Sequence, residues 1–168
     1  MSAVIESHHD DHHHGPAKGF SRWLYTTNHK DIGSLYLWFS FIMLFVGGAM
    51  AMVIRAELFE PGSQIVSPEF YNQMVTNHGL IMVFGVIMPA FVGLANWMIP
   101  MQIGAPDMAL PRLNNLSFWI LPAAFGVLLS TFLMEGGAPN FGWTFYAPLS
   151  TEYAPPTVTF FIFSVHIM

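Results

Sequence analysis

An imidazole side chain, His78, lies within a stretch of sequence that carries no charged side chain from residue 70 to residue 106. An ionisable ring inside a segment that can cross a bilayer is costly, and it usually faces the protein interior, a ligand or a water path. Imidazole nitrogens bind haem iron axially, are common ligands of copper, and carry protons. The position therefore leaves three interpretations open: a metal ligand, a proton relay, or a neutral histidine hydrogen-bonded to a neighbouring helix.

A second set of polar side chains surrounds Asp107, which lies in a turn bracketed by prolines. Asn96 precedes this turn, and Asn114 and Asn115 follow it, where apolar residues are the default in a membrane segment. Such amides could hold ordered water and let protons move inward from the carboxylate. A solvated loop carboxylate, with Asn114 or Asn115 capping a helix, explains the same pattern.

A third set follows the first uncharged run of the chain. Arg55 ends that run, and it is either an anchor whose charge reaches the membrane surface or a donor that polarises a cofactor's carbonyl or carboxylate. Glu57, Glu60 and the carbonyl groups near Gly62 could together bind a hard cation such as Ca²⁺ or Na⁺. An acidic loop that is only solvated explains these glutamates as well.

The composition determines which elements must position these groups. Of the 168 residues, 54% are hydrophobic and only 9% are charged, against roughly a quarter in ordinary soluble domains. The charge balance is acidic, with no basic patch that could neutralise phosphates, so nucleic acid is excluded as an expected partner. Cysteine is absent, which excludes thiolate ligands, a thiol nucleophile and disulfides, and leaves metal chemistry to histidine and oxygen.

Uncharged runs predict an all-α membrane protein with three full transmembrane helices and the start of a fourth. The first is predicted over residues 32–54, the second over 71–100 with a kink at Pro89, and the third over 114–134, each long enough for a hydrocarbon core of about 30 Å. The last apolar stretch, residues 157–168, is too short to cross a bilayer. We therefore expect the N-terminal part of a larger bundle.

The distribution of cations predicts the orientation. Lys18, Arg22 and Lys30 precede the first predicted helix, and the third loop has no Lys or Arg, which favours a cytoplasmic N-terminus. Residues 1–21, rich in His and Asp and without a cleavable signal, are expected to form a disordered cytoplasmic tail. Residues 22–168 are expected to form the transmembrane domain. An uncleaved start of this kind favours a bacterial inner membrane over the mitochondrial one.

Several strings, in order along the chain from about Arg22, resemble subunit I of cytochrome c oxidase, of the haem-copper oxidase superfamily. The most specific is Gly104-Ala105-Pro106-Asp107-Met108-Ala109. The others are Thr27-Asn28-His29-Lys30-Asp31-Ile32-Gly33, Ile54-Arg55-Ala56-Glu57-Leu58, Asn77-His78-Gly79, Asn114-Asn115-Leu116-Ser117-Phe118-Trp119, Gly142-Trp143-Thr144 and Tyr146-Ala147-Pro148-Leu149.

The resemblance implies a haem site at the outer ends of the helices. His78 matches the first axial ligand of the low-spin haem a, and Arg55 matches the arginine that hydrogen-bonds the formyl group of that haem. Trp143 and Tyr146 match the segment near the haem propionates, and Glu57 matches a carboxylate of an outer Na/Ca site. The resemblance also implies a larger bundle of about twelve helices, whose remaining part provides haem a3 and copper B.

At the inner end, the resemblance implies that Asp107 is the entrance carboxylate of the D proton pathway, with Asn96 and Asn114 as amides along it. The implied activity is reduction of O₂ to water with electrons from cytochrome c, coupled to proton pumping. The implied partners are cytochrome c, oxidase subunits II and III, membrane lipid and a respiratory supercomplex. Between Pro89 and Asn96, however, this chain is one residue shorter than familiar members, which affects the helix before that amide.

Two alternatives accompany this interpretation. The quinol oxidase branch of the superfamily has two charged residues and a histidine where this chain has Val46, Met50 and Phe70, so cytochrome c is the favoured donor. From another class, a proton-conducting transporter or a non-catalytic membrane fragment would also place His and Asn within the membrane, with a carboxylate at the mouth of the path. Neither of these would explain the ordered strings.

Overall fold

The computed structural model describes residues 19–168, and within that range every regular element is helical. The elements are α1 (Phe20–Tyr25), α2 (His29–Glu57), α3 (Pro68–Leu80), a π-helical segment (Ile81–Ile87), α4 (Met88–Ile103), α5 (Pro111–Ser130) with a 3-10 turn (Thr131–Leu133), and α6 (Val158–Ile167). The predicted tail, residues 1–21, lies outside the described range except for its last three residues, of which Phe20 and Ser21 begin α1.

Three continuous helices are long and apolar enough to cross a membrane: His29–Glu57, Pro68–Ile103 and Pro111–Leu133. The prediction of three spanning helices and a short fourth is therefore confirmed. Each spanning helix begins about one turn earlier than predicted, because polar and proline residues start it. The Asn28 side chain accepts from the Lys30 amide at 2.8 Å, the Ser67 side chain accepts from the Phe70 amide, and Pro111 occupies the first turn of α5.

Helix α2 packs antiparallel against the long helix formed by α3, the π segment and α4. As the residue number increases along α2, the number of the residue that it contacts decreases: His29 contacts Asn96, Ser40 contacts Val86, and Gly47 contacts His78. Glycine permits this close approach, since a Cβ added at Gly33 would lie 2.8 Å from the carbonyl oxygen of Gly93. The pairing places Asn96 at the start of α2 and His78 beside Gly47, several turns further along it.

The expected irregularity at Pro89 takes the form of the π segment, which ends two residues before the proline. Pro89 has no N–H, so the backbone carbonyl groups of the preceding turn lose a donor. The hydroxyl of Ser40 on α2 donates to the carbonyl of Val86 in this segment at 2.8 Å. The irregular turn is thus stabilised by the neighbouring helix.

Candidate functional site

His78 lies in the last turns of α3 and is half-buried. Its Nδ1 is 2.9 Å from the carbonyl oxygen of Gly47 on α2. A carbonyl oxygen can only accept, so Nδ1 carries a proton and donates it, and in the neutral imidazole this leaves the lone pair on Nε2. A histidine that binds a metal is commonly oriented in this way through its other ring nitrogen. Nε2 has no hydrogen-bond partner among residues 19–168, so it is available to a metal or to a proton.

Glycines beside the ring set the space around it. A Cβ added at Gly47 would lie 2.8 Å from the sulfur of Met82 and 3.1 Å from Cγ2 of Ile81, so a larger residue there would have to displace these two side chains. A Cβ added at Gly79, beside His78, would meet nothing within 4 Å. The described residues thus fit a flat group next to the imidazole.

Substituting Gly47 by alanine should disturb the ring that its carbonyl orients. The added methyl group would push Met82 and Ile81 away, at a cost of about 1 to 3 kcal/mol. In the full-length subunit we expect a lower melting temperature and a shifted or weakened low-spin haem absorbance. Gly48→Ala, next to it but in open space, is the matched control and should leave both unchanged. Equal effects of the two substitutions would show that the close packing at Gly47 is unimportant.

Arg55 lies in the last turns of α2, because the helix continues past residue 54, where the first spanning helix was predicted to end. Its side chain is exposed and makes no hydrogen bond or ion pair with residues 19–168. It lies eight residues beyond Gly47, about 12 Å further along the helix axis, and is therefore not at the depth of His78. The reason is that α3 begins at Pro68, which places His78 deeper in the helix pair. Its role toward a haem stays a prediction.

Glu57, the last residue of α2, organises the loop that follows it. Its Oε1 accepts from the Gln64 amide at 2.7 Å, and its Oε2 accepts from the amides of Ile65 and Val66 at 2.9 Å each. The residue is only 6% exposed, and no group of three acidic or histidine residues able to hold a metal occurs among residues 19–168. Three N–H dipoles turn their positive ends toward the carboxylate, so the surroundings do not fit a Na⁺ or Ca²⁺ ligand.

We expect Glu57→Gln to loosen residues 58–67. The amide side chain provides one acceptor oxygen, so at least one of the three N–H groups loses a charge-assisted hydrogen bond. That loss should speed hydrogen exchange at Gln64, Ile65 and Val66 by roughly 10- to 100-fold. Glu60→Gln, an exposed carboxylate without a hydrogen bond in the described range, should change nothing. Protection of the three amides that depends on added Ca²⁺ would contradict this account and favour the cation site.

At the opposite end of the bundle, Asp107 lies half-buried in the turn between α4 and α5. Its Oδ1 accepts from the backbone amides of Met108 at 2.7 Å and His29 at 3.2 Å. Its Oδ2 has no hydrogen bond to residues 19–168. The carboxylate is thus held in place through one oxygen, while the other remains available for water or a proton.

The structure brings Asn96 and Asn114 together. The Asn114 amide donates to Oδ1 of Asn96 at 2.6 Å, and Asn96 donates to the carbonyl of Val92. Helix α5 begins at Pro111, so Asn114 lies inside it and is not its cap. His29 connects Asp107 to this pair: its backbone N–H donates to Asp107, and its ring Nδ1 lies 2.9 Å from the Asn96 carbonyl oxygen. The three predicted residues therefore belong to one polar cluster.

Three members of this cluster were missed by the sequence analysis. His29 is buried between Asp107 and Asn96, and Ser117 donates to the carbonyl of Asn114 at 2.7 Å. The Tyr36 hydroxyl lies 3.0 Å from Oγ of Ser117, and both line a cavity of about 140 Å³ that continues toward Pro89. Helical spacing is the signal that could have found them, because Ser117 is three residues after Asn114 and Tyr36 is seven after His29.

Trp143 and Tyr146 lie in the long loop between α5 and α6, with both side chains exposed. No hydrogen bond joins either side chain to His78 or Arg55 in the described range. The structure therefore does not bring these two residues to the histidine, and their role toward a haem stays a prediction.

The helices and the polar residues define a class: an α-helical membrane protein with a hydrogen-bonded histidine inside the helix pair and a polar cluster near one end of the bundle. Residues 31–168 match the family model described as cytochrome c and quinol oxidase polypeptide I. The chain belongs to this family.

Relatives agree with this assignment. The chain is 48% identical over 146 residues to cytochrome c oxidase subunit 1 of Corynebacterium diphtheriae, covering 86% of this chain and 26% of that protein. It is 48% identical over 145 residues to the probable cytochrome c oxidase subunit 1-alpha of Streptomyces avermitilis, covering 85% and 25%. It is 47% identical over 137 residues to the heme-copper oxidase subunit I+III of Aeropyrum pernix, covering 82% and 17%. The chain thus spans about a quarter or less of the length of these relatives.

Proposed function

We propose that this chain forms part of subunit I of a terminal respiratory oxidase that reduces O₂ to water with electrons from cytochrome c and pumps protons. The observation that carries the proposal is the 2.9 Å contact between Nδ1 of His78 and the Gly47 carbonyl oxygen. It orients a membrane imidazole with Nε2 available as a ligand, in a chain whose relatives are named as oxidase subunits.

The residues of this chain would hold one side of a low-spin haem a. His78 would bind its iron through Nε2, Arg55 would interact with its formyl group, and Trp143 and Tyr146 would lie toward its propionates. When bound, the haem supplies one-electron transfer. The helix pair keeps the imidazole in one tautomer and one orientation. Haem a3 and copper B belong in this proposal to the rest of the subunit. Because the N–H groups around Glu57 do not fit a cation, no step is assigned to Ca²⁺ or Na⁺.

The inner cluster would take up protons. Asp107 would capture a proton at its available Oδ2, and water held by the amides of Asn96 and Asn114 would carry it onward. The Asn114 to Asn96 bond of 2.6 Å fixes those amides, and the cavity beside Tyr36 leaves room for water further along. These contacts support a proton path that starts at the turn between α4 and α5.

Cytochrome c is the proposed electron donor, with quinol as the alternative that the family description also includes. Val46 and Met50 are half-buried and pack against the apolar core, and Phe70 is exposed. These positions therefore offer no polar group to a quinol. The names of the bacterial relatives point to the same donor.

We place the protein in a bacterial inner membrane, with the N-terminus cytoplasmic; a mitochondrial inner membrane is the second candidate. Arg22, Lys30 and Arg112 all lie at the end of the bundle that carries Asp107, as expected for the cytoplasmic side. Association with oxidase subunits II and III, with cytochrome c and with a respiratory supercomplex belongs to the same proposal.

The test is oxygen consumption by the full-length subunit assembled with its partner subunits. We expect rapid turnover with reduced cytochrome c and little with a quinol. We also expect acidification of the medium when intact cells that express the oxidase are pulsed with oxygen. Faster turnover with quinol would favour the quinol branch. Proton conduction without oxygen consumption would favour the transporter and overturn the proposal.

A further inference from the structure

A shallow groove runs along the outward face of α2, apart from the haem ligand and the polar cluster. Ser34, Leu37, Trp38 and Phe41 line it, and it encloses about 290 Å³. Trp38 is 62% exposed and Phe41 is 51% exposed. The groove therefore lies on a side of the bundle that no described helix covers.

The side chain of Lys30 lies one helical turn before this groove, near the start of α2. Lys30 is exposed and four residues before Ser34, so the two side chains share one helix face. The carboxylate of the next residue, Asp31, forms an ion pair with Arg22 at 2.8 Å. The hydrogen bond to Asp31 and the charge of Asp31 raise the pKa of Arg22 above its usual value. Within residues 19–168, Lys30 has no ion-pair partner. Its charge is therefore available to a ligand.

Trp97 of α4 lies between the ammonium group of Lys30 and Ser34, the first residue of the groove. Its indole N–H donates to Oγ of Ser34 at 3.2 Å, and the Ser34 hydroxyl donates to the carbonyl of Lys30 at 2.8 Å. The ammonium group of Lys30 lies 5.6 Å from the centroid of the Trp97 ring. A tryptophan with an apolar ring and a satisfied N–H is typical of the membrane interface, where lipid headgroups meet acyl chains.

We propose that this groove binds an anionic phospholipid, with its phosphate at Lys30 and one acyl chain along Leu37, Trp38 and Phe41. The charge is complementary, and below Ser34 the lining consists of Leu37, Trp38 and Phe41, whose surfaces are apolar apart from one indole N–H. Phe45 is the next exposed aromatic residue after Phe41 on this helix face. The helix rises about 22 Å from Lys30 to Phe45, which is close to the combined length of a headgroup and one hydrocarbon leaflet of about 15 Å. The dimensions therefore suit a single lipid better than a peptide segment.

The test is native mass spectrometry of the assembled oxidase, released from detergent after exchange into phosphatidylglycerol or phosphatidylcholine. We expect the wild type to retain one more phosphatidylglycerol than phosphatidylcholine. Lys30→Gln should weaken phosphatidylglycerol retention about fivefold, as expected for one cation near an anionic headgroup. Arg112→Gln, a matched loss of charge at the same end of the bundle, should not. Phe41→Ala should weaken both lipids, whereas Ile42→Ala, exposed outside the groove, should weaken neither.

Two outcomes would overturn the proposal. Equal retention by Lys30→Gln and Arg112→Gln would mean that the attraction is a general effect of charge. Crosslinking of a photoreactive residue at position 41 to polypeptide, with none to lipid, would show that another part of the oxidase covers the groove. Neither outcome bears on oxygen reduction, so the proposed function is tested separately.

Discussion

His78→Ala in the full-length subunit is expected to abolish the low-spin haem spectrum and to reduce oxygen consumption to background. The imidazole is the only haem ligand proposed for the described part of this chain, and alanine leaves the iron without one of its axial ligands. The fold should persist, because the substitution removes one hydrogen bond, to Gly47, from a half-buried side chain. The reduced-minus-oxidised absorbance spectrum of purified protein measures the outcome.

His166→Ala provides the control for this substitution. His166 is an exposed imidazole on α6, and its Nδ1 lies 2.8 Å from the carbonyl oxygen of Ile162 in the same helix. It therefore resembles His78 chemically, but its hydrogen bond is not to α2. Its removal should leave the low-spin spectrum intact. An unchanged spectrum in His78→Ala would exclude that residue as a ligand.

Asp107→Asn is expected to slow proton uptake by about 10- to 100-fold, at or below the low end of what loss of a positioned proton-transfer group costs. Asparagine keeps a side-chain oxygen that can accept from the amides of Met108 and His29, so the turn should keep its shape. Only the charge and the proton-binding oxygen are lost. Flash-initiated proton uptake with a pH dye measures the rate, and an unchanged low-spin haem spectrum shows that the haem site is intact.

Asp31→Asn is the matched control, since it makes the same chemical change at the same end of the bundle. The Asp31 carboxylate is already paired with Arg22 and takes no part in the polar cluster. We expect proton uptake at the wild-type rate in this variant. Normal uptake and pumping in Asp107→Asn would remove Asp107 from the pathway.

The helices could be predicted from the sequence because uncharged runs and their lengths are local properties. Their ends were less predictable. Arg55 and Glu57 read as loop residues because they are charged, yet the α-helix continues through both. Glu57 can remain helical and buried because its charge is satisfied by three amides of the following loop, a contact that depends on how that loop folds back.

The candidate site shows the same division. His78 was recognisable as an ionisable ring in an apolar run, but the carbonyl that orients it comes from Gly47, far away along the chain. Asn96 and Asn114 were recognisable as amides near Asp107, whereas the connection through His29 required the packing of α2 against α4. Residue types can be predicted from sequence; the partners that orient them depend on helix packing.

Rescue of His78→Gly by free imidazole tests the central claim most directly, because it separates ligation from every structural role of the side chain. The account predicts no low-spin haem spectrum in the purified full-length variant and its return when imidazole is added at millimolar concentration. N-methylation of the added imidazole should weaken the rescue, since the methylated nitrogen cannot donate to the Gly47 carbonyl. A low-spin spectrum in His78→Gly without imidazole would contradict the account.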